Sequence, residues 1–215
     1  MSQVELFLDF SCPWSYLALV RLRDVVDRNP ATMVFKPVSA HQVLETECPA
    51  LQLSRLSENP AKAAWQRHDL ATWARFWGLQ IELHDNWPFD ASLPASALVL
   101  AAEMGQGLAF ALLSFEAHFG AGADICSADK LTELAEQAGL DSGHFKEQLA
   151  DTKYVEQVDK NNHELVRRGG FGTPSMFIGD ELFYGNDRMP LVEWTLSPVN
   201  DAQFVIPGQH GNLEG

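Results

Sequence analysis

The sequence contains few cysteines, few basic residues and no long apolar run, and each shortage excludes a class of protein. Its 215 residues include three cysteines, an odd number at wide spacing, so we expect no disulfide framework. Fifteen lysines and arginines stand against 29 acidic residues, which gives a formal charge of −14 and argues against a nucleic-acid or anionic-membrane surface. The longest apolar run, around Ala95 to Ala102, is far too short to span a bilayer.

Targeting and metal-binding signals are missing as well. The first residues run directly into folded-looking sequence with no basic region, so we expect no signal peptide and a cytoplasmic location. The seven histidines form no His-Glu-x-x-His motif and the cysteines no Cys-x-x-Cys pair, so we expect no metal site. The remaining composition, with 46% hydrophobic residues, predicts an ordinary soluble globular protein.

The two ends of the chain carry strand patterns, and the middle carries helix patterns. Residues 3–9, 14–28 and 32–36 predict a βαβ unit, whose two strands should be parallel. Residues 40–168 predict helices and no strand, with Ser127 and Asp141 as the N-caps of two of the helices. Residues 169–215 predict a hairpin turning at Gly179 and Asp180, then a last helix with Asp187 as its N-cap, and a tail that wraps the surface.

A lone cysteine stands where the first strand turns into the first helix, in the stretch Asp-Phe-Ser-Cys-Pro-Trp-Ser-Tyr. Cys12 faces the unpaired N–H groups and the positive end of the helix, which favour thiolate over thiol, so we expect a nucleophilic sulfur. Ser15 occupies the place of a second cysteine and is positioned to donate a hydrogen bond to that thiolate. The alternative is a small buried apolar side chain. Cys48 and Cys126 lack this context and are interpreted as incidental.

Two further stretches predict binding groups. Thr173-Pro174 begins a strand, and on local grounds a cis proline beside a ligand and an ordinary trans proline both remain open. Asn186-Asp187 begins a helix, where free backbone N–H groups can bind a carboxylate and the Asp187 carboxylate can bind an ammonium group. The alternative is that these residues only cap the helix.

Aromatic side chains are concentrated in the helical middle of the chain. We expect most of them to lie in the core and one or two to line an apolar substrate cleft: Trp65, Trp73, Phe76, Trp77 and Trp87.

These features together resemble a known family. A sheet split by a helical insertion, with Cys-Pro-x-Ser at the first helix and Gly-x-Pro before a hairpin, resembles the DsbA branch of the thioredoxin fold. Residues 171–178 and 184–188 further resemble 2-hydroxychromene-2-carboxylate isomerase and its relative, kappa-class glutathione transferase. Residues 60–70 and 90–104 are similar to that family's insertion helices, so the likeness covers most of residues 3–196.

The resemblance implies an α/β protein with a thioredoxin-like fold (βαβ…ββα) and a large all-helical insertion. On this reading residues 1–39 and 169–215 form one thioredoxin-like domain, and residues 40–168 form the insertion. It also implies a homodimer.

By position, the resemblance implies a glutathione site. Cys12 stands where the family usually has a serine that hydrogen-bonds the glutathione sulfur, and Pro13 and Trp14 follow its Ser-Pro-aromatic pattern. The resemblance assigns the cysteinyl part of glutathione to the backbone of Thr173, before Pro174. The other implied contacts are the γ-glutamyl end with Asn186 and Asp187, and a carboxylate with Lys62.

Three functions follow from these residues. The first is a glutathione-dependent isomerase or transferase that acts on a small aromatic or conjugated substrate. The second is a monothiol protein or glutathione disulfide oxidoreductase that uses Cys12 itself, although Ser15 leaves it without a resolving cysteine. The third is a binding or chaperone-like module that has lost catalysis.

Overall fold

The computed structural model describes residues 2–39, 59–85 and 87–197. The predicted start of the insertion at residue 40, Cys48 and the tail beyond Ser197 lie outside these residues. The described part contains four strands and eight α-helices.

The four strands form one mixed sheet in the order β2-β1-β3-β4. Their bounds are β1 Ser2–Leu8, β2 Ala31–Pro37, β3 Ser175–Ile178 and β4 Glu181–Tyr184. The parallel β1–β2 pair, joined by helix α1 (Pro13–Arg28), confirms the predicted βαβ unit. The hairpin of β3 and β4 is also confirmed, and β3 runs antiparallel to β1 with Phe177 opposite Glu5.

Between β2 and β3 the described residues contain only helices, as predicted. These are α2 Pro60–Phe76, α3 Ser92–Glu103, α4 Gly107–Phe115, α5 Ala128–Gln137, α6 Ser142–Leu149 and α7 Thr152–Arg167. A five-residue π-helix, Glu116–Gly120, continues α4. The predicted N-caps are confirmed, because the Ser127 and Asp141 side chains accept backbone N–H groups of α5 and α6. No helix in the described ranges combines the length and apolarity needed to cross a bilayer.

The prediction that Asp187 caps the last helix is wrong. The chain first makes a 3-10 turn, Asn186–Arg188, and helix α8 then spans Met189–Leu196 with Arg188 at its N-cap. The turn forms because Gly185 has φ +98°, a conformation that redirects the chain before the helix begins. Pro190 still falls in the first turn of α8, where no intrahelical N–H is lost.

Among the described residues, the larger of two hydrophobic clusters is shared by the sheet and the inserted helices, and the smaller contains Phe7, Val38, Leu165 and Phe177. Buried side chains of β1 and α1 pack in the same cluster as those of α3, α4 and α5. Phe115 of α4 joins the two parts, with its ring 4.7 Å from Phe10 and 5.3 Å from Tyr16 between centroids. The helices are therefore held to the sheet by apolar burial, each fully buried Leu or Phe contributing about 1.5–3 kcal/mol.

The expectation that most inserted aromatics lie in the core is wrong. Trp65 is 60% exposed and Phe76 is 69% exposed. Trp73 and Trp77 are half-buried, and Trp87 packs against the core from its edge. Trp73, Phe76 and Trp77 were expected in the core because they follow one another at helical spacing along and just after α2. The helix itself buries only Leu70 and Ala74.

An ionic cluster ties α7 to the first two strands. Arg168 Nη1 donates to Glu5 at 2.6 Å and to Glu164 at 3.1 Å, and its guanidinium lies 3.9 Å from the centre of the Phe177 ring. Lys36 Nζ donates to Glu164 at 2.9 Å. All these charged side chains are about four-fifths buried, so their pairing resists screening by salt.

We expect Glu164→Gln to destabilise the protein at neutral pH and to matter less in acid. Partial burial raises the pKa of Glu164, but the hydrogen bonds and charges of Lys36 and Arg168 outweigh burial and hold the pKa below its usual value. A carboxyl group whose pKa folding lowers adds stability above its unfolded pKa, and loses it as pH falls through the folded pKa. Urea unfolding of both proteins, from neutral pH to below the usual glutamate pKa of about 4.3, measures the effect. The exposed Glu156 on the same helix supplies the control, Glu156→Gln. A stability difference that did not change with pH would contradict this prediction.

Candidate functional site

The turn that presents Cys12 is fixed by a short network around Asp9. The Asp9 carboxylate accepts the Ser11 N–H at 2.6 Å, and the Asp9 carbonyl accepts the Cys12 N–H at 3.0 Å. Cys12 is the N-cap of α1, and Pro13 occupies the first helical position, where its missing N–H costs nothing. The sequence therefore places the sulfur at the helix N-terminus, as predicted.

A second contact reaches this turn from the inserted segment. The indole Nε1 of Trp87 donates to the Ser11 carbonyl at 2.6 Å, across 76 positions of sequence. From its sequence, Trp87 is recognisable only as one of the inserted aromatic residues, and this hydrogen bond is not predicted. A tryptophan followed by proline gives no local signal of a long-range hydrogen bond.

The Cys12 thiol points at the segment before Pro174. Its Sγ donates to the Thr173 carbonyl at 3.3 Å, and both residues are 7% exposed. The Thr173–Pro174 peptide bond is cis. The sulfur therefore lies at the N-terminus of α1 and donates to a backbone carbonyl from the segment before β3. A ligand group that replaced Cys12 as donor to this carbonyl would free the S–H for another acceptor.

Ser15 has a different contact from the predicted one. It is fully buried, and its Oγ accepts the Asp9 N–H at 3.3 Å. This bond positions the hydroxyl in the network that shapes the turn. A direct role towards the thiolate stays a prediction.

A backbone bond connects Pro174 to the turn that carries Asn186 and Asp187. The Gly185 N–H donates to the Pro174 carbonyl at 3.0 Å. A Cβ at position 185 would lie 2.6 Å from Asp187 Oδ1, so glycine allows the Asp187 carboxylate to lie close over the loop. Asn186 is buried and Asp187 is about half exposed, 3.8 Å from Arg188.

A cavity of about 310 Å³ opens beside this turn. Asn186, Asp187 and α8 form one side, Arg21 of α1 lies on another, and aromatic side chains of α2 form the wall opposite: Trp73, Phe76 and Trp77. Three inserted aromatics line this cavity, where one or two were expected to line an apolar substrate cleft, and a role in substrate binding stays a prediction. Arg21 was not singled out from the sequence, where it looks like any charged residue on an amphipathic helix.

Two other predicted site residues, Lys62 and Trp14, take no part in the hydrogen bonds described above. Lys62 is exposed in the first turn of α2, where its backbone N–H is capped by Asn59, and Trp14 is half-buried beside Pro13. Within residues 2–39, 59–85 and 87–197, no group of three His, Cys, Asp or Glu side chains is arranged to hold a metal.

Cys126, the second described cysteine, lies in different surroundings from Cys12. Its Sγ donates to the Asp90 carbonyl at 3.4 Å. Although the residue is exposed overall, partial burial of the sulfur and the carboxylates of Asp124 and Asp90 raise the pKa of this thiol to about 11. A thiol with such a pKa is protonated and unreactive at neutral pH.

Comparison with known proteins finds relatives that match this chain over most of their own length. A 2-hydroxychromene-2-carboxylate isomerase of Sphingobium xenophagum is 26% identical over 200 residues, which cover 88% of this chain and 95% of the relative. A solved 2-hydroxychromene-2-carboxylate isomerase superposes with a TM-score of 0.74 at 25% identity, over 89% of this chain and 92% of that one. The cytosolic disulfide reductase DsbM of Pseudomonas aeruginosa, solved with GSH, has a TM-score of 0.62 at 18% identity, over 90% and 98%.

The likeness to solved structures agrees with the sheet order and helices described above, and confirms a thioredoxin-like fold of the DsbA type. Three relatives that match over nearly the full length are named isomerases, which supports an enzyme. Residues 3–197 match the DSBA-like thioredoxin domain, and the chain belongs to that family.

Proposed function

We propose that this protein is a glutathione-dependent isomerase of the 2-hydroxychromene-2-carboxylate isomerase type, acting on a small aromatic or conjugated substrate. The observation that carries the proposal is the hydrogen bond of Cys12 to the Thr173 carbonyl at the N-terminus of α1. It brings a sulfur donor, a helix end and the backbone carbonyl of Thr173 to one point. A thiol-bearing peptide such as glutathione needs each of them.

The comparisons support the two parts of this proposal separately. The relatives named 2-hydroxychromene-2-carboxylate isomerase match nearly the whole chain. Glutathione rests on weaker support, since DsbM, solved with GSH, shares the fold at 18% identity.

In the proposed reaction, the sulfur of glutathione is the nucleophile. Its thiolate adds to a conjugated carbon of the substrate, a C–S bond forms, and the π electrons move to the substrate's carbonyl oxygen. The former double bond is now single and can rotate, after which the same electrons return and expel the thiolate. Cys12 donates its S–H to the glutathione sulfur and the helix end stabilises the anion, so the protein favours the reactive thiolate without a covalent bond of its own.

The direct test combines a binding and a turnover measurement. Calorimetry with glutathione should show one site per chain, and turnover of 2-hydroxychromene-2-carboxylate should require added glutathione. Turnover at the same rate without any thiol would contradict the proposed chemistry.

We expect Asp187→Ala to weaken glutathione binding by about 1–3 kcal/mol, the usual loss of a charge-assisted hydrogen bond. The reason is that Asp187, half exposed beside the cavity, is placed to accept from the ammonium of the γ-glutamyl end. Asp180→Ala removes an equally negative, exposed carboxylate at the hairpin and serves as the control in the same calorimetric titration. Unchanged affinity in Asp187→Ala would remove this residue from the site.

A monothiol oxidoreductase is the second candidate. The free Cys12 thiol at a helix N-terminus is also the arrangement that attacks a disulfide. Such an enzyme needs an external thiol to release the mixed disulfide, because Ser15 replaces the resolving cysteine. A homodimer and a cytoplasmic location stay predictions for either enzyme.

A further inference from the structure

The peptide group between Ser11 and Cys12 is held at both of its polar atoms. The Cys12 N–H donates to the Asp9 carbonyl at 3.0 Å, and the Ser11 carbonyl accepts from Trp87 Nε1 at 2.6 Å. The first bond closes the turn from within, whereas the second comes from the inserted segment. Ser11 is 3% exposed, so its carbonyl has little access to water that could replace the indole. A buried carbonyl that lost this donor would rotate towards another one, because an unsatisfied buried acceptor is costly.

The orientation of this peptide group decides where the Cys12 sulfur points. The plane of the peptide and the φ angle of Cys12, −101°, together fix the direction of its Cα–Cβ bond. The sulfur then reaches the Thr173 carbonyl at 3.3 Å. A thiol is a weak donor, so this bond alone does not hold the side chain. The direction of the thiol therefore depends on the two bonds of the Ser11–Cys12 peptide, one of which Trp87 makes.

The segment that carries Trp87 is fixed on both sides of the indole. Before it, the Glu82 N–H donates to the Phe119 carbonyl at 2.9 Å. After it, the Phe89 ring packs against the ring of His118, with centroids 4.5 Å apart, and His118 is 2% exposed. Phe119 and His118 both belong to the π-helix that continues α4. The indole N–H is thus anchored to the inserted helices, and a donor on a rigid support fixes its acceptor more precisely than one on a free loop.

We infer that Trp87 is a positioning residue for Cys12. Its indole N–H fixes the Ser11–Cys12 peptide, and that peptide directs the thiol to the Thr173 carbonyl, where the glutathione sulfur is proposed to bind. Trp87 acts through the turn, so its loss should change the orientation of the thiol even where the fold is retained. The consequence for turnover rests on the proposed function, but the orientation of the thiol is measurable without any ligand.

The first test is infrared spectroscopy of the ligand-free protein, in which Cys48→Ser and Cys126→Ser leave Cys12 with the sole S–H group. A hydrogen bond to a carbonyl lowers the frequency of the S–H stretch. We expect Trp87→Phe, which keeps an aromatic ring but removes the indole N–H, to move the Cys12 band to the higher frequency of a thiol without an acceptor. Trp194→Phe replaces an exposed tryptophan of α8 and should leave the band unchanged.

The second test is the kinetics of the same variants in glutathione-dependent isomerisation. Trp87→Phe should lower kcat by about tenfold or more and leave KM for glutathione within about threefold, because the lost bond orients the thiol but does not bind the tripeptide. Trp194→Phe should change neither constant. A KM that rose while kcat stayed unchanged would contradict the positioning role, since Trp87 would then contribute to binding.

A tryptophan analogue keeps the inference testable if Trp87→Phe does not fold. 3-Benzothienylalanine at position 87 has the shape of tryptophan and carries a sulfur atom in place of the indole N–H. An unshifted S–H band in the folded analogue protein, or in folded Trp87→Phe, would overturn the inference. A shifted band, in a protein whose wild type shows no glutathione-dependent turnover, would support the positioning role and refute the proposed function.

Discussion

Replacing Cys12 by serine should leave glutathione-dependent isomerase activity within about tenfold of the wild type. Cys12→Ala, in contrast, should lower kcat by about a hundredfold or more, because it removes a hydrogen-bond donor to a developing anion. The reason lies in what the side chain already does, since Cys12 Sγ donates to the Thr173 carbonyl at 3.3 Å. A serine hydroxyl is a stronger donor of similar size and can serve a glutathione thiolate. An alanine leaves that thiolate with the helix end alone.

The measurement is the initial rate of isomerisation at saturating glutathione, with Cys126→Ser as the matched control. Cys126 is exposed, lies on the loop before α5 and has a pKa of about 11, so its replacement should leave the rate unchanged. Complete loss of turnover in Cys12→Ser, together with a glutathione adduct on wild-type Cys12 by mass spectrometry, would instead establish the oxidoreductase, since that adduct is the mixed disulfide of its mechanism.

Gly170→Ala should destabilise the fold by about 1–3 kcal/mol, the cost of forcing extra atoms into a packed site. Helix α7 ends in a Schellman motif, in which the Gly170 N–H donates to the Leu165 carbonyl at 2.8 Å and the Gly169 N–H donates to Val166. A Cβ at position 170 would overlap Leu165 Cδ1 and lie 2.9 Å from the Leu165 carbonyl oxygen. The backbone atom cannot move without breaking the cap.

The free energy of unfolding is measured with urea, and two other glycine-to-alanine variants serve as comparisons. A Cβ at Gly169 meets nothing within 4 Å, but its φ of +83° makes Gly169→Ala cost about 1–2 kcal/mol through backbone strain. Gly143 is the second residue of α6, and a Cβ there would lie 3.4 Å from Asp141 Oδ1, an ordinary contact, so Gly143→Ala should leave the protein at least as stable as the wild type. The prediction fails if Gly170→Ala is as stable as wild type.

The elements of the fold were predictable because each has a local cause. The apolar stripe of α1, the N-caps Ser127 and Asp141, and the turn at Gly179 all act within a few residues, so their patterns survive in the sequence. The start of α8 was misplaced because Gly185 adopts a conformation that depends on its bond to Pro174. The aromatic residues of α2 were misplaced because burial depends on the partner that a helix face meets, which periodicity does not specify.

The candidate site was predictable only where a motif marks it. Cys12, Thr173 and Pro174 stand in recognisable stretches, and the structure brings the first two into contact. Trp87 bonds to Ser11, which lies 76 positions away, and Arg21 lines a cavity with Asn186, which lies 165 positions away. No rule of sequence spacing links such distant pairs. The signal that could have pointed to Arg21 was the aromatic concentration on α2, since stacked rings often hold a guanidinium.

The bond from Trp87 to the Ser11 carbonyl has a consequence for the order of events on the ribosome. The βαβ unit emerges first. The turn that presents Cys12 gains its hydrogen bond only when Trp87, 76 positions after Ser11, has been synthesised, and the sulfur gains its acceptor only with Thr173, 161 positions after Cys12. β1 likewise pairs with β3 only after Phe177 has been synthesised. At about 5–20 residues per second, the cysteine is attached to an incomplete site for roughly ten seconds or more. During that interval the nascent chain carries a thiol without its acceptor, so selectivity for ligands is acquired only when the segment that contains Thr173 has left the tunnel.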